Sequence, residues 1–200
     1  MTDINIVIAG VGGQGTVLAG CVIGRAALGC GLDVKVSEIH GMAQRGGSVV
    51  TFVKIGRNIF SPVIEENSAD IVLAFEQLEA SRSEKYLRKD GVMIINDQQI
   101  DPMPVAAGKA KYPENICETL SKKYHVASLN AHEIATNSGL AKAANIVMLG
   151  AVSAYLEFDD AAWFDALKNI IPEKYLDVNI KAFVAGKSES KGDLKHGILE

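Results

Sequence analysis

The segment from residue 4 to residue 15 constrains the fold of this 200-residue chain more than any other. Ile4, Ile6, Val7 and Ile8 form a short β-branched run that stops at Gly10. Gly10, Gly12 and Gly15 then take the spacing G-x-G-x-x-G, ahead of an apolar series over residues 16–28 with helical period. Strand, tight turn and helix follow in that order. Gly29 and Gly31 stop the helix, and residues 33–39 read as a returning strand. A parallel crossover of this kind implies a sheet covered on both faces.

The alternation continues. Residues 48–55, 69–75, 91–96 and 125–129 read as strands, and residues 77–89 as a helix. Pro113 is expected to open a second helix running to residue 123. From residue 131 the chain turns helical, with a break expected at Ser138 and Gly139. Helices over 160–170 and 173–186 follow, separated at Pro172. The expectation is one doubly wound, mostly parallel, Rossmann-like α/β domain over 1–186, its C-terminal helices packed on the sheet, with a polar tail over 187–200.

With 48% hydrophobic and 22% charged residues, a chain of this length can bury one core without disulfides or metals. The formal charge of -4, with basic residues scattered, carries no nucleic-acid footprint. The N-terminus lacks the basic flank and length of a signal peptide. No apolar stretch reaches the roughly 18 residues that span a bilayer. The reading is a cytoplasmic protein without membrane attachment. Cys21, Cys30 and Cys117 lie far apart with no C-x-x-C, so they suit neither a four-thiolate cluster nor a zinc ribbon. Cys21, in an apolar helical run, is expected to be a small buried hydrophobe.

Two loops carry the chemistry. In the first, N–H groups around Gly12, Gly13, Gln14 and Gly15 at a helix start favour an anion. An NAD(P) dehydrogenase would use the same fingerprint with an acid at the end of the second strand, where Glu38 stands slightly late. The glycines also permit a tight turn with no ligand at all. In the second loop, Arg45 beside Gly46 and Gly47 offers a fork of donors next to accessible backbone, suited to a phosphate or carboxylate. A solvated arginine is the plain alternative. His40 lies in the same region without a second His, Asp or Cys at triad or metal spacing, so a hydrogen-bonded loop histidine is expected. His125, His132 and His196 share no ligand spacing.

Taken in order, Gly10-Val-Gly-Gly-Gln-Gly15, the run from Ser37 to Ser48 containing His-Gly-Met-Ala-Gln-Arg-Gly-Gly, Phe60-Ser-Pro62 and the run from Ala69 to Ala80 resemble the gamma-domain family of the pyruvate/ketoisovalerate (2-oxoacid) ferredoxin oxidoreductases. Within that family the wording is closest to the beta subunits of the indolepyruvate type. The likeness continues through Tyr112, Pro113, Asn145, Gly150, Asn179 and Gly186. The resemblance implies a subunit of a complex that oxidatively decarboxylates a 2-oxoacid to an acyl-CoA with ferredoxin as acceptor. Thiamine diphosphate and iron–sulfur clusters would sit on a larger partner subunit, which would also meet ferredoxin. This chain would lack a nucleophile or electron carrier of its own, and be inactive alone. Gly12, Gly13, Gln14, Gly15, Arg45, Gly46 and Gly47 would border coenzyme A or the partner. Pyruvate, 2-oxoglutarate and branched-chain substrates stay open, as does a purely structural docking role. Such a subunit is also expected to expose an apolar patch and to self-associate when isolated.

Overall fold

In the computed structural model, which describes residues 3–41 and 46–191, the core is a six-stranded sheet. The strands are β1 (Ile4–Val11), β2 (Asp33–His40), β3 (Ser48–Gly56), β4 (Ala69–Ala74), β5 (Leu87–Asn96) and β6 (His125–Leu129), in the order β2-β3-β1-β4-β5-β6. Five strands run the same way. β3 runs against them, antiparallel to both β1 and β2, while the pairings β1–β4, β4–β5 and β5–β6 are parallel. The crossover from β1 through α1 (Thr16–Gly29) does deliver a strand parallel to β1. That strand is not its neighbour, because β3 occupies the place between them.

The strands bury both faces, as a covered sheet requires. One face carries Ile4, Ile6, Ile8, Val53, Ile71, Leu73 and Ile94 against α1, α5 (Ala131–Asn137), α6 (Ala144–Ser153), α7 (Asp160–Ile170) and α8 (Glu173–Lys191). The opposite face places Val7, Phe52, Val72, Met93 and Ile95 beneath the smaller helices α2 (Gln77–Ser83) and α4 (Ile116–Ser121). Alternate residues of one strand thus enter different cores, as the two-residue period of a strand demands.

Several boundaries differ from the sequence reading. The helix expected over 77–89 ends at Ser83 and passes through a 3-10 turn, Glu84–Tyr86, into β5. Leu87 and the residues after it are drawn into the sheet, where Leu87 pairs with Ala69 and is buried. α4 begins at Ile116 rather than at Pro113, because Asn115 sits in the left-handed region at φ 56 and so cannot continue a helix from the proline. A short helix α3, Met103–Ala106, starts directly after Pro102. The break after α5 is real: Gly139, at φ 106, and a 3-10 turn, Ala141–Ala143, separate it from α6. α8 continues past Gly186 to Lys191, so the start of the expected tail is helical. Residues 192–200 lie outside the described residues.

Cys21 is exposed, contrary to expectation. The buried side of α1 consists of Ala19, Gly20, Val22, Ile23, Ala26 and Ala27, and Cys21 points away from it. Where α6 crosses α8 the backbones touch. A Cβ built on Gly150 would overlap the Phe183 carbonyl, and one on Gly186 would overlap the Val147 carbonyl. The two glycines that the family resemblance singles out are therefore the contact point of a helix crossing.

Candidate functional site

Adjacent strands β1 and β4 send their chains in opposite directions: α1 leads back toward β2 on one face, and α2 leads on to β5 across the other. Their carboxyl ends therefore flank a crevice at a topological switch point, the usual ligand position in open α/β sheets. The loop Gly12–Gly15 sits there. Gly13 and Gly15 adopt φ 105 and 85, values that side chains rarely tolerate, and Gly15 lies against the Asn145 carboxamide.

The loop is held by its own amides more than by its glycines. The Gln14 side chain turns inward: its Oε1 accepts from Val11 N at 2.7 Å and its Nε2 donates to the Phe75 carbonyl at 3.0 Å. Asn96, the last residue of β5 and almost fully buried, donates to the same carbonyl at 3.1 Å and accepts from Ala131 N at 3.0 Å. Gln98 Oε1 takes a further bond from each amide. β1, β4, β5 and α5 are thereby stitched together beneath the crevice. The Gln14 side chain is thus a structural brace of the loop.

The second loop folds onto the first. Because β3 runs backward beside β1, its entrance meets the exit of β1: Gly12 N–H donates to the Gly47 carbonyl at 2.8 Å and Gly46 N–H to the Gly12 carbonyl at 3.4 Å. Gly12, Gly13, Gln14 and Gly15 are thus brought together with Gly46 and Gly47. The N–H groups of Gly12 and Gln14 are occupied, the latter by the Val11 carbonyl at 3.0 Å, which corrects the expectation that all four would face a ligand. Among the described residues no acceptor faces the N–H groups of Gly13 and Gly15. Gln44 and Arg45 lie outside the described residues.

Two hollows flank the loop and meet at Gly13. One, of about 490 Å³, lies over the switch point and includes Asn96, Gln98, His132, Lys142 and Asn145. None of its described lining residues is a carboxylate, and Lys142 makes no ion pair among the described residues, so its field favours an anion. The other, of about 390 Å³, reaches Glu38, His40 and Val49. A ribose-holding acid normally stands on the strand next to β1, and here β3 takes that place, putting Glu38 on the far edge strand. His40 ends β2 and its Nδ1 lies 3.0 Å from the Gly41 carbonyl, an exposed histidine with a local partner.

A buried acidic pair, which sequence reading missed, supports this rim from below. Glu79, 2% exposed, accepts from Ser48 Oγ at the start of β3 and from Arg82. Glu76, 1% exposed, caps α2 through Glu79 N and also accepts from Tyr112 OH and Ile100 N. Tyr112 OH in turn accepts from Leu78 N at 3.0 Å. Burial, then the bond to Glu76, pushes the Tyr112 phenol well above its ordinary pKa. Tyr112→Phe leaves Leu78 N and Glu76 each short of a partner, and should cost about 1–3 kcal/mol in denaturant midpoint at unchanged m-value. A raised folded pKa contributes stability that is fully present below the unfolded value and lost as pH rises above it. The difference between wild type and variant should therefore hold constant from about pH 6 to about pH 9 and shrink only in stronger alkali.

Residues 5–189 match the family described as pyruvate ferredoxin/flavodoxin oxidoreductase. The chain belongs to that family. It is 40% identical over 192 residues to an indolepyruvate oxidoreductase subunit, IorB, of Archaeoglobus fulgidus, covering 94% of this chain and 95% of that one. Among solved structures, the gamma subunit of a keto/oxoacid ferredoxin oxidoreductase from Geobacter sulfurreducens superposes with TM-score 0.72 at 26% identity, covering 94% of this chain and 99% of that one. The 2-oxoglutarate:ferredoxin oxidoreductase of Magnetococcus marinus, solved with 2-oxoglutarate, coenzyme A and succinyl-CoA bound, shares the fold. It has TM-score 0.75 at 19% identity, and 96% of this chain corresponds to 32% of that one. The same fold thus occurs both as nearly the whole of a chain and as part of a longer one.

Proposed function

We propose that this chain is the cluster-free subunit of an indolepyruvate-type 2-oxoacid:ferredoxin oxidoreductase. The complex would convert a 2-oxoacid anion, coenzyme A and two oxidised ferredoxins into an acyl-CoA, carbon dioxide, two reduced ferredoxins and a proton. The observation that carries the site reading is the switch-point crevice at the end of β1, which has no carboxylate among its described lining residues and holds Gly13 and Lys142, while Gly15 and the start of α1 line the hollow on the other side of Gly13, toward Glu38. A phosphate of coenzyme A suits those donors. Gly46 and Gly47 stand beside Gly12, and Arg45, next to them in sequence, would add a charge-assisted contact.

Redox and carbanion chemistry belong in this reading to a larger partner that binds thiamine diphosphate and iron–sulfur clusters and passes electrons to ferredoxin. The donor set here does not fit a cluster. Cys21 and Cys30 are exposed on or next to one helix, Cys117 lies in another, and among the described residues no three His, Cys, Asp or Glu side chains gather at metal distance. What this chain's own residues do is bind, orient and wall off one side of a shared site. No described helix is long and apolar enough to cross a membrane, which accords with a complex at work in the cytoplasm.

A docking role without ligand contact is the second reading. It draws on the mutual bonds of the two loops and on exposed apolar side chains: Phe60 is 94% and Val63 58% exposed, a residue pattern suited to burial against a partner. Arg45→Ala in the reconstituted complex separates the two. The ligand reading expects the apparent KM for coenzyme A to rise about tenfold with assembly and kcat little changed. Loss of assembly instead favours docking, and no change in either defeats the assignment of Arg45. Viologen reduction by the complex should be fastest with indolepyruvate. A clear preference for pyruvate, 2-oxoglutarate or a branched-chain oxoacid would move the chain to another branch of its family.

A further inference from the structure

A separate hollow of about 690 Å³ adjoins the switch-point crevice, sharing with it only Ala141, Lys142 and Asn145. Its walls are apolar and come from four helices: Leu18 of α1, Ile146 of α6, Ile170 at the end of α7 and Tyr175 of α8, closed by Ile171 and Pro172 in the α7–α8 turn. This size and lining are those of small-molecule sites, which combine apolar walls with a few placed polar groups.

The polar groups define what such a site would take. Lys142 is exposed at the rim and has neither an ion pair nor a hydrogen bond among the described residues. The Asn145 carboxamide, beside Gly15, likewise has no hydrogen-bond partner among them. A second cation stands close by, with Lys174 Nζ 4.8 Å from the centre of the Tyr175 ring. No carboxylate is found among the described lining residues. Cations without counter-charges at the edge of an apolar hollow match a ligand with one negative charge and an apolar body.

We propose that this pocket binds a small apolar monocarboxylate, its body among Leu18, Ile146, Ile170 and Tyr175 and its carboxylate on Lys142 and the Asn145 amide. The site goes beyond the coenzyme A reading, since it needs no phosphate and its apolar walls are its own, while Lys142 and Asn145 stand on the border between the two hollows. The apolar body can be aromatic or branched aliphatic, and the experiment distinguishes the two.

The full-length chain, labelled with ¹⁵N, is titrated in separate experiments with indole-3-acetate, isovalerate and uncharged indole. Saturable shifts of the Asn145 side-chain amide and of backbone amides around residues 140–146 and 170–175 are expected with at least one of the acids. A response to indole-3-acetate alone assigns an aryl ligand, and a response to isovalerate alone assigns an aliphatic one. Lys142→Met, at an exposed position that the fold does not use, should weaken acid binding about tenfold and leave any indole binding unchanged, as expected for one lost charge-assisted contact. Absence of saturable shifts with both acids overturns the proposal. Acid binding that is indifferent to Lys142→Met overturns it equally. Coenzyme A added to the same samples reads the other site through Gly13 and Gly15, so failure at one site is told apart from failure at the other.

Discussion

Gly150→Leu should lose a large part of the folding stability, and Gly150→Ala or Gly186→Ala should each lose a smaller part of it. Helix propensity alone predicts the opposite for alanine, since replacing a mid-helix glycine gains about 1 kcal/mol. The crossing of α6 and α8 reverses the sign, because the new methyl would overlap a backbone carbonyl on the facing helix, which cannot rotate away as a side chain would. Forcing two packed helices apart in a full core costs about 1–3 kcal/mol for one methyl, and on the order of 4 kcal/mol or more for leucine, against a total stability of roughly 5–15 kcal/mol. Gly24 supplies the control. It lies within α1, and a Cβ there would come no closer than 3.4 Å to a neighbouring side chain, so Gly24→Ala should stabilise the protein. Thermal or denaturant midpoints measure all four variants; a stable, monodisperse Gly150→Leu protein would mean that α6 and α8 do not cross here.

Asn96→Leu comes second in expected effect. The substitution keeps nearly the same volume but strips the acceptor from the fully buried Ala131 N–H and a donor from the Phe75 carbonyl. A buried amide left without a partner costs about 1–3 kcal/mol; the Phe75 carbonyl keeps its bond from Gln14, so the orphaned Ala131 N–H dominates and the loss should be about 2 kcal/mol. Gln14→Leu should cost less, because the Phe75 carbonyl keeps its bond from Asn96 and Val11 N lies nearer the surface. The double variant tests whether the amides act as one network. Coupling near zero between them would show that the bracing of β1 and of α5 is independent, contrary to the shared acceptor at Phe75.

Much of this architecture was legible because strands and helices advertise their period. The run at residues 4–9, the glycine spacing and the helical stretches after residue 131 each carry local signals that tertiary packing leaves intact. The reversed position of β3 was not legible, since Ser48 to Ile55 alternates in the same way whichever neighbour it takes. The true end of α2 was hidden because Leu78 and Leu87 suit a helical stripe as well as they suit a helix followed by a strand. Cys21 misled because α1 is apolar nearly all round, which blurs the direction of its buried side. The site's supports were hidden for another reason: Gln14, Glu76, Glu79, Asn96 and Tyr112 have ordinary neighbours in sequence and meet only across the fold.

The central place of β1 bears on how the protein is made. It precedes both of its sheet neighbours in the chain, with β3 completed only at Gly56 and β4 only at Ala74. During that interval Ile4, Ile6, Val7 and Ile8, all buried at the end, have no sheet to join. β2 and β3, consecutive and antiparallel, can pair by themselves in the meantime, and β1 must then enter the gap between a ready hairpin and the incoming β4. A strongly apolar strand therefore waits for shelter while its neighbours are made, and it is a segment through which a stalled or truncated product would aggregate.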